Sequence, residues 1–164
     1  MGGFTGEDEY GDSLDCEGAL RQVYDDAFAF AMRNLRRVQA GQSVNSTGVP
    51  EVPRIVFEEL LVNALLHRDY LVSAPVRLVI DDDKLVLSSP GNLPNNLTVP
   101  KILAGNTNIR NPVLTSFAAK GVLPYRGLGS GVARAVAAWP HIELVDDREA
   151  GWFRATIWRH GRAG

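Results

Sequence analysis

The chain has 164 residues, room for one compact core but not comfortably for two domains, and its 45% hydrophobic and 22% charged residues describe an ordinary globular protein. Seventeen Lys plus Arg against nineteen Asp plus Glu leave a formal charge of −2, which argues against a broad basic face for gripping nucleic acid. Cys16 is the only cysteine, so an intramolecular disulfide and a cysteine-based zinc site are excluded, and no apolar run approaches the ~20 residues of a membrane helix.

In chain order, residues 1–14 are rich in Gly, Asp and Glu without a period and predict a flexible tail, followed by one domain over 15–164. Met1-Gly2 lacks the Ser or Thr at position 6 that a myristoylation start needs, and no signal-peptide pattern follows, so a cytoplasmic protein is expected. From Asp15 to Ala40, Leu20, Val23, Tyr24, Ala27, Phe30, Ala31, Leu35 and Val38 recur at helical spacing, with Gly41 as a stop. Arg33, Arg36 and Arg37 form a local basic run there, read as a solvated helix face. Residues 42–52 are polar, with Gly48 and Pro50, and predict a loop.

A second helix is predicted from Pro53 to His67, because a proline's missing N–H costs nothing in a first helical turn. Pro75–Ile80 and Lys84–Ser88 follow as strands joined by the acidic turn Asp81-Asp82-Asp83. The Gly/Pro/Asn stretch 89–111 leaves space for one short helix near Val99–Leu103, and structureless segments of that length in compact domains are usually functional. Asn111-Pro112 has the form of a helix start and Gly121 that of its end. A glycine loop over 126–131 opens a helix running to Trp139, and 141–146 with 152–158 make a closing hairpin. The order α-α-β-β-loop-α-α-β-β predicts an α+β fold: a two-layer sandwich, its sheet mixed but mostly antiparallel, with helices on one face.

The second helix carries the candidate chemistry. Glu59, Asn63 and His67 fall within roughly 80° of one another on a helical wheel, a polar stripe spaced i, i+4, i+8. Ile55, Phe57, Leu60, Leu61, Val62, Ala64, Leu65 and Leu66 make almost everything else on it apolar, so the stripe faces either bulk water or a cleft. A buried helix with one solvated edge explains the pattern as well as a site does. If it is a site, Glu and Asn one turn apart suit metal-phosphate chemistry: a carboxylate orients and deprotonates water, and an amide oxygen is a hard ligand for Mg²⁺.

Glu59-Leu-Leu-Val-Asn63-Ala-Leu-Leu-His67-Arg68-Asp69-Tyr70 resembles the E-x-x-x-N helix of the GHKL (Bergerat-fold) ATPases. More narrowly, it resembles the E-x-x-x-N-A-x-x-H-R-D-Y signature of RecG-related proteins described as ATP-dependent helicases and Schlafen-AlbA-containing bacterial transcriptional regulators. The resemblance implies Glu59 as general base and Asn63 as Mg²⁺ ligand, with ATP and Mg²⁺ as cofactors. It implies no role for His67 through Tyr70; for His67 a hydrogen-bonded histidine fixing the helix end is the simpler reading.

Ser89-Pro90-Gly91-Asn92-Leu93-Pro94 resembles the family's N-P-G-G-L-P, where other GHKL proteins have D-x-G-x-G. Ser89 stands where the superfamily's adenine-reading aspartate would be, and loss of that charge-assisted bond lowers affinity on the order of ten- to a hundredfold. Gly127-Leu128-Gly129-Ser130-Gly131 is neither a Walker A loop nor G-x-G-x-x-G, and resembles the R-G-x-G-x-G-I lid that holds the triphosphate. Arg110-Asn111-Pro112 resembles a recurrent lid element, implying a phosphate contact for Arg110 against a plain helix cap at Asn111. Thr156 matches a position often beside the adenine, although a surface strand threonine fits equally.

The resemblance spans residues 17–159 and leaves no room for the N-terminal domain usual in this family, so an excised domain or natural fragment is expected. Two functions follow from it: an ATP/Mg²⁺-binding module with slow hydrolysis, or a degenerate nucleotide fold serving as a dimerisation or regulatory module of a DNA-associated regulator. DNA contact is expected only through domains outside this chain, no membrane partner is expected, and no helicase motif is present.

Overall fold

The computed structural model describes residues 12–39, 41, 47–127 and 129–159. Its centre is a five-stranded sheet of β1 (Asp12–Cys16), β4 (Val76–Ile80), β5 (Lys84–Pro90), β6 (Ile142–Asp147) and β7 (Trp152–Trp158), in the order β1-β4-β5-β7-β6. Every neighbouring pair is antiparallel. The mixed sheet expected from sequence is therefore antiparallel throughout its described strands, within the α+β two-layer class that was predicted. A separate two-stranded piece, β2 (Arg37–Val38) with β3 (Val49–Pro50), lies within the stretch between the first two helices.

Alternation sorts the sheet into two faces. Val76, Leu78 and Ile80 of β4, Leu85 and Leu87 of β5, and Ala155 and Ile157 of β7 are buried together on one face. Two helices cover it. Helix α1 (Leu20–Asn34) contributes Val23, Tyr24, Ala27, Phe30 and Ala31, and α2 (Arg54–His67) contributes nine buried residues around most of its circumference. Arg77, Val79, Val86 and Thr156 alternate onto the open face.

Three short helices complete the layer: α3 (Val99–Leu103), α4 (Pro112–Phe117), which runs into a π turn at Ala118–Val122, and α5 (Gly131–Ala138). Gly121 sits at φ +96 within the π turn, the left-handed residue that stops this helical segment as predicted.

Three boundaries differ from the sequence expectation. Asp12–Leu14, assigned to the tail, begin β1, which pairs Asp12–Cys16 with Ile80–Val76; residues 1–11 of that tail lie outside the described set. The first helix starts at Leu20 and ends at Asn34, because the apolar residues beyond it, Leu35 and Val38, belong to extended chain. The predicted loop 42–52 ends in a strand, Val49–Pro50.

A buried ion pair ties the layers together. Arg159 Nη1 donates to Glu51 Oε1 at 2.7 Å, and both side chains are at most 5% exposed. The same carboxylate oxygen accepts the Arg36 backbone N–H, and Arg159 also reaches the Asn34 carbonyl. The end of the last strand is thereby fastened to the stretch between α1 and α2.

Candidate functional site

On α2 apolar residues cover most of the circumference, Arg54 and Glu58 pair at its exposed side, and the polar stripe is left facing a cleft. Glu59, Asn63 and His67 all line it, spread over eight residues or about 12 Å of helix rise. Opposite them lie Gly91 to Pro94 after β5, Asn106 to Asn108 after α3, and Gly127, Gly129 and Gly131 before α5. The cleft holds about 860 Å³ with its open mouth included, inside the ~300–1,000 Å³ range of small-molecule sites. Leu66, Leu93, Leu97, Ile102 and Phe153 make one part apolar, while Glu59, Asn63 and Arg134 make another polar.

Ser89 is delivered by register. It continues the core-facing series Leu85, Leu87 on β5 and pairs with Phe153, so its buried side chain meets the cleft from the sheet side. Its hydroxyl donates to the Ala64 carbonyl of α2 at 3.0 Å. That bond uses the only donor and leaves the oxygen's lone pairs for a ligand N–H, the direction in which a base amino group is read.

Gly91 is required by its neighbours. It sits at φ +101, and a Cβ there would stand 2.7 Å from Asp69 Cβ and 3.1 Å from Arg110 Nη1. Those two residues are a brace. Arg110 Nη1 donates to Asp69 Oδ2 at 3.1 Å, and Arg110 Nη2 bonds the Asn92 carbonyl. The Asp69 N–H donates to Pro90 O at 2.8 Å. Asn111 Nδ2 donates to both Leu66 O and Arg68 O, each at 2.8 Å, satisfying carbonyls at the end of α2. Tyr70 returns its hydroxyl to Leu65 O at 2.8 Å, under the Arg68 guanidinium 4.8 Å from its ring. The His67-Arg68-Asp69-Tyr70 run, without an assigned role in sequence, thus joins the end of α2 to the Pro-Gly loop and to Arg110-Asn111.

Arg110 lies behind Gly91, outside the cleft lining, where it bonds Asp69 and Asn92. Asn111 stands at the N-cap of α4 but makes no side-chain cap there; it caps α2 instead. Thr156 does not join the site either. It pairs with Val86 and Glu143 on the open face, whereas Phe153 reaches the cleft. Ser130 falls outside the lining and bonds Arg134 Nη1, while Gly127, Gly129 and Gly131 on either side of it do line the cleft.

One residue was missed. Arg134, the fourth residue of α5, holds Glu59 in a two-pronged ion pair, Nε to Oε1 at 2.9 Å and Nη2 to Oε2 at 3.0 Å. Hydrogen bonding to Glu59 raises the Arg134 pKa above its ordinary value. Gly131 makes the approach possible, since a Cβ there would lie 2.6 Å from Glu59 Oε2. The pattern signal was an arginine one turn into a helix that follows a glycine loop.

Other titrations narrow the chemistry. Burial, followed by the nearby Arg110 charge, lowers the His67 pKa and favours neutral imidazole beside the cleft. Cys16 is buried and its thiol is pushed up to about 11, so no thiolate is at hand near neutrality. Among the described residues no group of three or more His, Cys, Asp or Glu could hold a metal, and no helix is long and apolar enough to cross a membrane. A Mg²⁺ here would rely on the Asn63 amide oxygen, a hard oxygen donor, with ligand phosphates and water completing its shell.

Residues 73–145 match the family model described as "Putative ATP-dependent DNA helicase recG C-terminal". The match takes in the Pro-Gly loop, Arg110-Asn111-Pro112 and the glycine lid, and begins after α2. In structure the chain is similar to the DIP2311 protein from Corynebacterium diphtheriae, with a TM-score of 0.68 and 25% identity over 87% of this chain. It covers 28% of that protein's length. No curated protein matches it.

Proposed function

We propose that this chain, whose residues 73–145 match a RecG C-terminal family model, is a HATPase-like domain that binds ATP with Mg²⁺ and turns it over slowly at most. The observation that carries the reading is convergence: Glu59, Asn63, Ser89, Gly91 and three lid glycines, scattered over 73 positions of sequence, line one cleft. Its apolar part suits a base stacked among Leu93, Ile102 and Phe153, with Ser89 accepting from an exocyclic amine. Its polar part suits phosphates, with Asn63 ligating the ion and the lid backbone supplying N–H groups at the start of α5. Bound Mg²⁺ supplies charge neutralisation on the phosphates. In this reading Glu59, once released from Arg134, orients the water.

Calorimetry with millimolar ATP analogue tests the reading. Binding is expected with magnesium and not with EDTA, and Asn63→Ala is expected to abolish the magnesium-dependent part. No heat and no thermal shift at millimolar nucleotide would overturn it.

A second reading is favoured by the Glu59–Arg134 pair and by Ser89 replacing a carboxylate. The fold then serves as a dimerisation or regulatory module of a DNA-associated protein without turnover. It predicts self-association by light scattering with or without nucleotide, and a strict monomer at high concentration refutes it.

A further inference from the structure

Glu59 and Arg134 face each other across the polar part of the cleft, and neither is explained by packing alone. Glu59 is only 7% exposed, and a buried carboxylate is costly unless paired. Arg134 is 32% exposed and lines the same cleft, so its guanidinium has one edge on Glu59 and another toward the space beneath the lid. Nε and Nη2 are committed to the two carboxylate oxygens and Nη1 bonds Ser130 Oγ, while Nη1 and Nη2 each keep a second N–H. Gly131 opens the helix on which Arg134 rides and brings the lid onto Glu59. The carboxylate therefore fills the place of an anion at a guanidinium beside a helix start, where anions are favoured.

We propose that Glu59 is the resting counter-ion of Arg134, and that the terminal phosphate of a nucleoside triphosphate displaces it. Arg134 is then a ligand for the third phosphate, and its transfer from carboxylate to phosphate is what frees Glu59. A nucleoside diphosphate, lacking the competing group, leaves the pair intact. This rests on the nucleotide reading above and adds to it a residue that distinguishes triphosphate from diphosphate.

The experiment compares Mg-ADP with a Mg-complexed non-hydrolysable ATP analogue by calorimetry on the intact chain and three variants. Glu59→Gln removes the competitor and is expected to raise the analogue-to-ADP affinity ratio about tenfold or more. Arg134→Gln is expected to bring the analogue-to-ADP ratio close to one, and the double variant should behave like Arg134→Gln. Arg134→Lys keeps the charge but not the two-pronged geometry, and is expected to fall between. It also keeps the test open should Glu59→Gln fail to fold. ADP binding with a ratio unmoved by Arg134→Gln and Arg134→Lys overturns the assignment of Arg134 alone. Failure of the unmodified chain to bind either nucleotide overturns the nucleotide reading beneath it.

Discussion

Gly91→Ala isolates the close approach on which the Pro-Gly loop depends. The added methyl meets two separate penalties. At φ +101 an L-residue is strained, by roughly 1–3 kcal/mol. The Cβ would also stand 2.7 Å from Asp69 Cβ and 3.2 Å from Asp69 N, atoms fixed by backbone rather than by a mobile side-chain end. Overpacking of that kind costs about 1–3 kcal/mol. The sum, about 2–6 kcal/mol, corresponds to a fall in Tm of roughly 4–24 °C for a domain of this size. Gly151→Ala is the matched control. Gly151 also has positive φ, +76, but a Cβ there meets nothing within 4 Å. It is expected to lose only about 1 kcal/mol, since stiffening the unfolded chain offsets part of the strain. Urea denaturation of both variants gives the difference, with m unchanged. Equal stabilities, within about 0.5 kcal/mol, would refute the packing of Gly91 on Asp69.

Arg159→Met leaves Glu51 charged in the interior and is expected to cost about 3–5 kcal/mol by urea denaturation, with Glu51→Leu in the same chain recovering much of the loss. A loss below about 1 kcal/mol refutes the burial of the pair. Asn111→Ala removes two bonds to the α2 carbonyls, and its expected cost is about 1–3 kcal/mol in the same assay. A cost near zero would mean water replaces the amide. His67 has its folded pKa held below the ordinary 6.5, so the unfolded chain takes up this proton first. Its contribution to stability is present above pH ~6.5 and lost as pH falls from there to the depressed folded value. His67→Gln is expected to flatten that part of the stability–pH curve, and identical slopes for the two chains would refute the assignment.

The second helix was legible because its apolar surround is so complete that three polar residues at four-residue spacing stand out. The hairpins were legible for a similar reason, alternation broken by Asp81-Asp82-Asp83 and by the turn at 148–151. Strand β1 was hidden: Leu14 and Cys16 do alternate with Ser13 and Asp15, but only the pairing with β4 makes that short pattern a strand. Thr156 was left open between a ligand-side and a surface strand position because aromatic residues occupy both sides of β7, and the burial of Ala155 and Ile157 decides the phase. Arg110, and not Arg134, was singled out in the sequence. Both are arginines near glycine loops, and which of them reaches the cleft depends on contacts 41 and 75 residues apart in sequence.

The meeting of Arg110 with the Asn92 carbonyl closes residues 93–109 into a handle. Both feet of that handle stand on one post, the Asp69 corner after α2, so its entropy of closure is settled before any guest arrives. The handle is also pinned to the sheet, Leu93 N donating to Asp146 Oδ1 of β6 at 3.0 Å, so rearrangement over the cleft is coupled to that edge strand.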